Sequence, residues 1–155
     1  MVAKKVRMVF VLYMVLCAVI FISEAQAVEL PITSNFGWRV HPISGEWKFH
    51  TGIDLAYPAG TLVPAMFDGV VIASGDFGDG YGKQVMLYHP ALDAYTRYAH
   101  MAAIYASPAQ EIWQGTILGC VGATGNATGP HLHLEYIVRA ADGTYIYSDP
   151  MNLWK

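Results

Sequence analysis

The sequence predicts an all-β domain, and three observations carry that prediction. Short runs of β-branched and aromatic residues recur along the chain, each bounded by glycine or proline. No window of about twelve residues carries a convincing helical period, so Ala91–Ala94 and Met101–Gln110 hold a turn or two at most. No repeat, charge block or low-complexity tract divides residues 28–155, which together are the size of one domain.

The first element is not part of the domain. The 155 residues are 54% hydrophobic and only 14% charged, and the apolar excess sits at the N-terminus. Lys4, Lys5 and Arg7 precede an unbroken apolar run from Met8 to Ile22, and Ala25-Gln26-Ala27 gives a small-x-small end. This is the pattern of a secretory signal peptide over residues 1–27, cleaved after Ala27. The run is fifteen residues long, short of the roughly 20 that cross a bilayer as a helix. Once cleaved, the protein is expected to have no stable membrane insertion and to reside in the periplasm, the cell envelope or outside the cell. Retention of the leader as an anchor is the alternative.

The leader holds three of the nine basic residues and one of the twelve acidic ones, which leaves residues 28–155 at a net charge of −5. That balance, with its cations scattered, argues against nucleic acid as a partner. Cys120 is the one cysteine after cleavage, so no intrachain disulfide is available; its neighbours Leu118, Gly119 and Val121 read as the setting of a buried, inert thiol.

The candidate strands follow in order: Thr61–Ala65, Gly69–Ser74, Gln84–Tyr88, Tyr95–His100, Thr116–Val121, His131–Arg139 and Thr144–Tyr147. Pro64 makes the first an edge strand or a strand end. The turns between them include Tyr57-Pro58-Ala59-Gly60 and Ala141-Asp142-Gly143.

Three polar groupings carry residues that bind or titrate. In His50-Thr51-Gly52-Ile53-Asp54, Gly52 and the turn that follows argue against helix, yet side chains four apart share a face in an extended segment as they do in a helix. One imidazole and one carboxylate can then converge on a cation, a pairing that suits Zn²⁺. In Gly129-Pro130-His131-Leu132-His133-Leu134-Glu135, Leu132 and Leu134 alternate with His131, His133 and Glu135, which puts the polar residues on one strand face. Glu135 can orient a neighbour, although an ion pair is the commoner role. The third grouping, Tyr98-Ala99-His100, ends a strand. His41 and His89 each precede a proline and mark strand ends or turns. Together the groupings supply three ligands for a zinc with an open fourth position, plus spare imidazoles to shuttle protons.

In this setting the chain resembles the lysostaphin-type (LytM-like) zinc metalloendopeptidases of bacterial peptidoglycan. The resemblance runs from about Ile32 to Leu153 and rests on Phe36-Gly37-Trp38-Arg39 with His41-Pro42, His50-Thr51-Gly52-Ile53-Asp54, Gly80-Tyr81-Gly82, Tyr98-Ala99-His100, Thr128-Gly129-Pro130-His131-Leu132-His133 and Asp149-Pro150. It implies an antiparallel β-sheet groove with zinc on its floor, held by His50, Asp54 and His133. It also implies that His131 and His100 are catalytic histidines that assist water activation and stabilise the transition state, so that His131 and His133 are not both ligands. The implied activity is endopeptidase cleavage of peptidoglycan stem peptides or cross-bridges. A catalytically silent wall-binding or activator protein, and a zinc carboxypeptidase acting on stem peptides, are the alternatives. The stretch Ile104 to Trp113 departs from the family pattern, and such rim loops shape the substrate groove.

Overall fold

The computed structural model describes residues 30–154, and the leader expected over residues 1–27 lies outside the described residues. Within them the chain runs through β1 (Ile32–Ser34), β2 (Gly37–Val40), β3 (Trp47–His50), β4 (Gly52–Leu55), β5 (Leu62–Pro64) and β6 (Gly69–Asp76). It continues through β7 (Lys83–His89), β8 (Ala94–Ile104), β9 (Glu111–Ile112), β10 (Ile117–Val121), β11 (Leu132–Arg139) and β12 (Tyr145–Ser148), then closes on a 3-10 turn over Pro150–Trp154. No α-helix occurs among the described residues.

Ten strands make one antiparallel sheet whose main order is β1-β4-β11-β8-β7-β6-β9, while β2 and β3 form a separate hairpin. β11 is central: β8 lies along one edge, and β4 and then β12 share the other, against Leu132–Glu135 and Tyr136–Arg139 respectively. Its first four residues are buried although they alternate between apolar and polar. Alternation turns Leu132 and Leu134 to one face of the sheet and His133 and Glu135 to the other.

Register extends that division across the neighbouring strands. Ile53, Leu134, Tyr98 and Val85 are partners in turn across β4, β11, β8 and β7, and each is at most 2% exposed. One residue along, Asp54, His133 and Ala99 form the next row, which faces the other way. The apolar row anchors the polar one. Truncating Leu134 to alanine would cost about 2–5 kcal/mol.

The seven expected strands are all present with shifted ends, and β5 is an edge strand that pairs with β10 alone, as Pro64 requires. Two expectations need correction. β8 does not end at His100: it runs on to Ile104, because Met101–Ile104 find partners in β10, so the turns expected over Met101–Gln110 shrink to the loop before β9. The strands β1 to β4 and β9, and the 3-10 turn, carry no strong local signal, since each is only two to five residues long. They are extended or coiled because a partner holds them.

Candidate metal and catalytic centre

Asp54 is directly opposite His133 across β4 and β11, and Ala99, just before His100, is opposite His133 on β8. His50 arrives by a different route. It ends β3 in the hairpin, and the chain changes sheets at Thr51 before β4 begins at Gly52. The spacing of four thus brings His50 and Asp54 together through a change of sheet and not along one extended face.

Gly52 makes the approach of β4 to β11 possible. A Cβ there would lie 2.2 Å from the Leu134 carbonyl oxygen and 3.0 Å from Cε1 of His133. No side chain fits between these strands without moving the site.

Three donor atoms converge. His50 Nε2 lies 3.1 Å from His133 Nδ1 and 3.2 Å from Asp54 Oδ1, and His133 Nδ1 lies 2.9 Å from Asp54 Oδ1. No other cluster of His, Cys, Asp and Glu suited to a metal ion is found among the described residues. The outer nitrogens fix the tautomers. His50 Nδ1 donates to the Asn35 carbonyl at 2.8 Å, which leaves Nε2 as a lone pair facing the site. His133 Nε2 faces Glu135 Oε1 at 3.3 Å, which leaves its Nδ1 facing the site. Three donor atoms this close could hold a metal ion among them.

The charges agree. Burial alone would raise the Asp54 carboxyl, but the His133 and His50 rings beside it outweigh burial and hold the group ionised, well below the ordinary carboxylate range. Burial disfavours the charged His133 ring, yet the carboxylates of Asp54 and Glu135 on either side push its pKa up.

The two remaining histidines are held in the same manner. His131 Nδ1 lies 2.9 Å from the Gly129 carbonyl and His100 Nδ1 2.8 Å from the Thr124 carbonyl, so each presents Nε2 inward. Their ring centroids are 4.7 Å apart, and His131 Nε2 comes within 3.7 Å of Asp54 Oδ1. His100 reaches this position from mid-strand because its φ is +60°, in the left-handed region, where the register between β7 and β8 slips. Such a bulge re-aims a side chain at the cost of about 1–3 kcal/mol of strain. Burial first, then the neighbouring histidines, pull the pKa of His100 down to about 4, so the ring is neutral at neutral pH.

Glu135 does more than pair with a cation. It has no exposed surface, and its Oε2 meets Arg97 Nη1 at 3.0 Å, the expected ion pair. Its Oε1 also accepts from Thr51 and, at 2.6 Å, from the Tyr81 hydroxyl, while facing His133. Arg97 stacks over the Tyr81 ring with its guanidinium carbon 4.4 Å from the centroid. Sequence reasoning missed Arg97 and Tyr81 as supports of His133. Gly80-Tyr81-Gly82 was a readable signal, but nothing local tells that the tyrosine points at a buried carboxylate.

All five residues singled out in the sequence line or floor one groove of about 700 Å³ that also takes in Arg39, Lys48 and Tyr81. A polarised bond, a metal-activated water and the imidazoles of His100 and His131 could meet here, which is the equipment of metal-assisted hydrolysis.

Comparison with known proteins points the same way. The family model for peptidase family M23 matches residues 48–148. The DD-carboxypeptidase/endopeptidase Mpg of Neisseria meningitidis serogroup B is 48% identical over 104 residues, covering 67% of this chain and 24% of that protein. The catalytic domain of the antimicrobial peptidase lysostaphin from Staphylococcus simulans superposes with a TM-score of 0.72 at 27% identity, over 81% of this chain and 93% of that one. A zinc-containing peptidase from Vibrio cholerae superposes with a TM-score of 0.67 at 36% identity, over 77% of this chain and 35% of that one. The chain spans about a quarter of the length of the curated relatives it matches.

Proposed function

This chain belongs to peptidase family M23, and from that premise we propose that it is an exported zinc endopeptidase hydrolysing peptide bonds in peptidoglycan stem peptides or cross-bridges. The observation that carries the reading is the convergence of His50 Nε2, Asp54 Oδ1 and His133 Nδ1 at 2.9–3.2 Å. Zinc bonds of 2.0–2.1 Å in tetrahedral geometry set donors about 3.3–3.4 Å apart, so the triangle is within a few tenths of an ångström of what the ion needs. Two imidazoles and one carboxylate leave a fourth position for water or substrate, the donor set of a catalytic site.

Bound there, zinc supplies Lewis acidity, polarising the scissile carbonyl and bringing the pKa of a water near 7. The remaining chemistry belongs to the chain. His131 and His100, each with its Nδ1 proton tied to a carbonyl, use Nε2 to take a proton from the attacking water and return it to the leaving amine. As N–H donors the same atoms steady the charge that builds on the carbonyl oxygen. Glu135, Arg97 and Tyr81 keep His133 in place. All five polar positions hold residues able to act, which favours a working hydrolase over a silent wall-binding protein. The leader over residues 1–27 delivers it to the periplasm or envelope, where its partner is peptidoglycan.

A second reading has specific support. The Neisseria relative is named both a carboxypeptidase and an endopeptidase, so trimming of a terminal residue by the same centre belongs beside internal cleavage. Digestion of defined wall peptides, with zinc stoichiometry, product masses and release of new amino groups, tests both readings for the wild type and His133→Ala. Internal fragments identify the endopeptidase, loss of a terminal residue the carboxypeptidase. Full activity of metal-free wild type would end the mechanism.

A further inference from the structure

Five cations lie among the described residues, and three serve the fold. Arg97 meets Glu135, Arg139 meets Asp93 at 3.0 Å, and Lys83 Nζ donates to the Ala102 carbonyl at 2.9 Å. The other two, Arg39 and Lys48, are directly opposed across the β2–β3 hairpin. Like charges in that relation weaken a strand pair, so the hairpin carries them against its own stability.

Alternation explains where they face. Arg39, Lys48 and His50 share one face of the hairpin, and all three line the groove. Trp38, Val40, Trp47 and Phe49 are on the other face and are exposed. The present partners of the two cations leave them available. Arg39 Nη2 is 3.5 Å from Asp54 Oδ2, long for an arginine–carboxylate contact. Lys48 Nζ is 3.3 Å from Glu46, in a pair more than half exposed on both sides, the kind that contributes little. The one other carboxylate lining the groove, Asp79, already accepts from the Gln84 amide and the Tyr81 backbone N–H. A positive wall thus stands beside the metal site of a chain whose net charge is −3.

We propose that Arg39 and Lys48 form a carboxylate-reading subsite that selects peptides bearing a free carboxylate close to the scissile bond. The inference rests on the hydrolase reading above and adds the substrate's charge to it. Because Arg39 touches Asp54, a carboxylate received there lies close to the reacting carbonyl. Lys48 extends the positive field toward the mouth of the groove. A carboxylate in this position is either the C-terminal group of a stem peptide or an acidic side chain within it.

The test measures binding by calorimetry to zinc-loaded His131→Ala protein, so that no peptide is consumed. Three stem peptides are compared: the free acid, its C-terminal amide, and the form with its side-chain carboxylate amidated. One amidated form is expected to bind about fivefold more weakly, and which one it is names the source of the carboxylate. Adding Lys48→Gln should bring that ratio below about twofold, Lys48→Arg should retain it, and raising salt from about 50 to 500 mM should compress it. Equal binding of all three peptides overturns the subsite, as does a ratio that Lys48→Gln and salt leave unchanged. Wall hydrolysis by the wild type is scored separately, so failure of the subsite and failure of the hydrolase reading give different results.

Discussion

Glu135 Oε1 lies 3.3 Å behind His133 Nε2, so a carboxylate with no exposed surface aims the imidazole whose other nitrogen faces Asp54. The same carboxylate is the counter-charge of Arg97, which is itself mostly buried. The geometry of the candidate metal site and the stability of the fold therefore share one group.

Glu135→Gln keeps the shape and removes the charge. It should weaken metal binding about 10–100-fold, because the ring loses the partner that orients it and raises its basicity. It should also destabilise the fold by about 3–5 kcal/mol, since Arg97 is left without its counter-charge. Competition with a chelator and urea denaturation read the two effects. Unchanged affinity would mean that Asp54 alone orients His133.

Gly52→Ala tests the close approach of β4 and β11. The added methyl would meet the Leu134 carbonyl at 2.2 Å, and backbone must shift to admit it. A loss of about 1–3 kcal/mol is expected, together with weaker metal binding, because the shift separates Asp54 from His133. Gly129→Ala is the control for stability: nothing lies within 4 Å of a Cβ there. Similar denaturation midpoints for the two variants would count against the steric account.

His89 supplies a pH dependence remote from the metal site. It has no exposed surface; its Nδ1 donates to the Asp68 carbonyl at 2.8 Å and its Nε2 lies 2.7 Å from the Thr96 hydroxyl. Burial lowers its pKa below the ordinary 6.5. The unfolded chain therefore binds this proton first as pH falls. The contribution is fully present above about pH 6.5 and is lost as pH drops toward the folded value, with a slope of at most about 1.4 kcal/mol per pH unit. Urea midpoints from pH 7.5 to 5 should fall more steeply for the metal-free wild type than for metal-free His89→Gln. Parallel curves would remove His89 from the account.

The long strands were legible in the sequence because Val, Ile and Tyr alternate between turn residues, and β11 was legible down to the polar face that His133 and Glu135 share. What the sequence hid is tertiary. β1 to β4 are three or four residues each, too short to show a period, and the route of His50 through a separate hairpin cannot be read from a spacing of four. His100 was expected at a strand end; a positive φ within a longer strand aims it instead. Arg97 and Tyr81 are ordinary β-strand and loop residues until Glu135 is seen beneath them.

Removing the metal tests the ligand assignment itself. Without a cation, His50 Nε2, His133 Nδ1 and Asp54 Oδ1 face one another at 2.9–3.2 Å, and a proton on His133 is the available substitute, in keeping with its raised pKa. A cation that binds only the folded chain adds about 2.7 kcal/mol at a hundredfold excess over Kd, or about 10 °C in Tm for a domain of this size. Calorimetry with zinc and with chelator should show that shift in the wild type. His131 Nε2 is 3.7 Å from Asp54 Oδ1, near enough to compete with His133 for the role of third ligand, so the two histidines must be separated by substitution. His131→Ala should keep most of the shift while losing hydrolysis, whereas His133→Ala should lose both. The reverse pattern would move the ligand two residues back, to His131 just before β11, and leave His133 as the proton carrier.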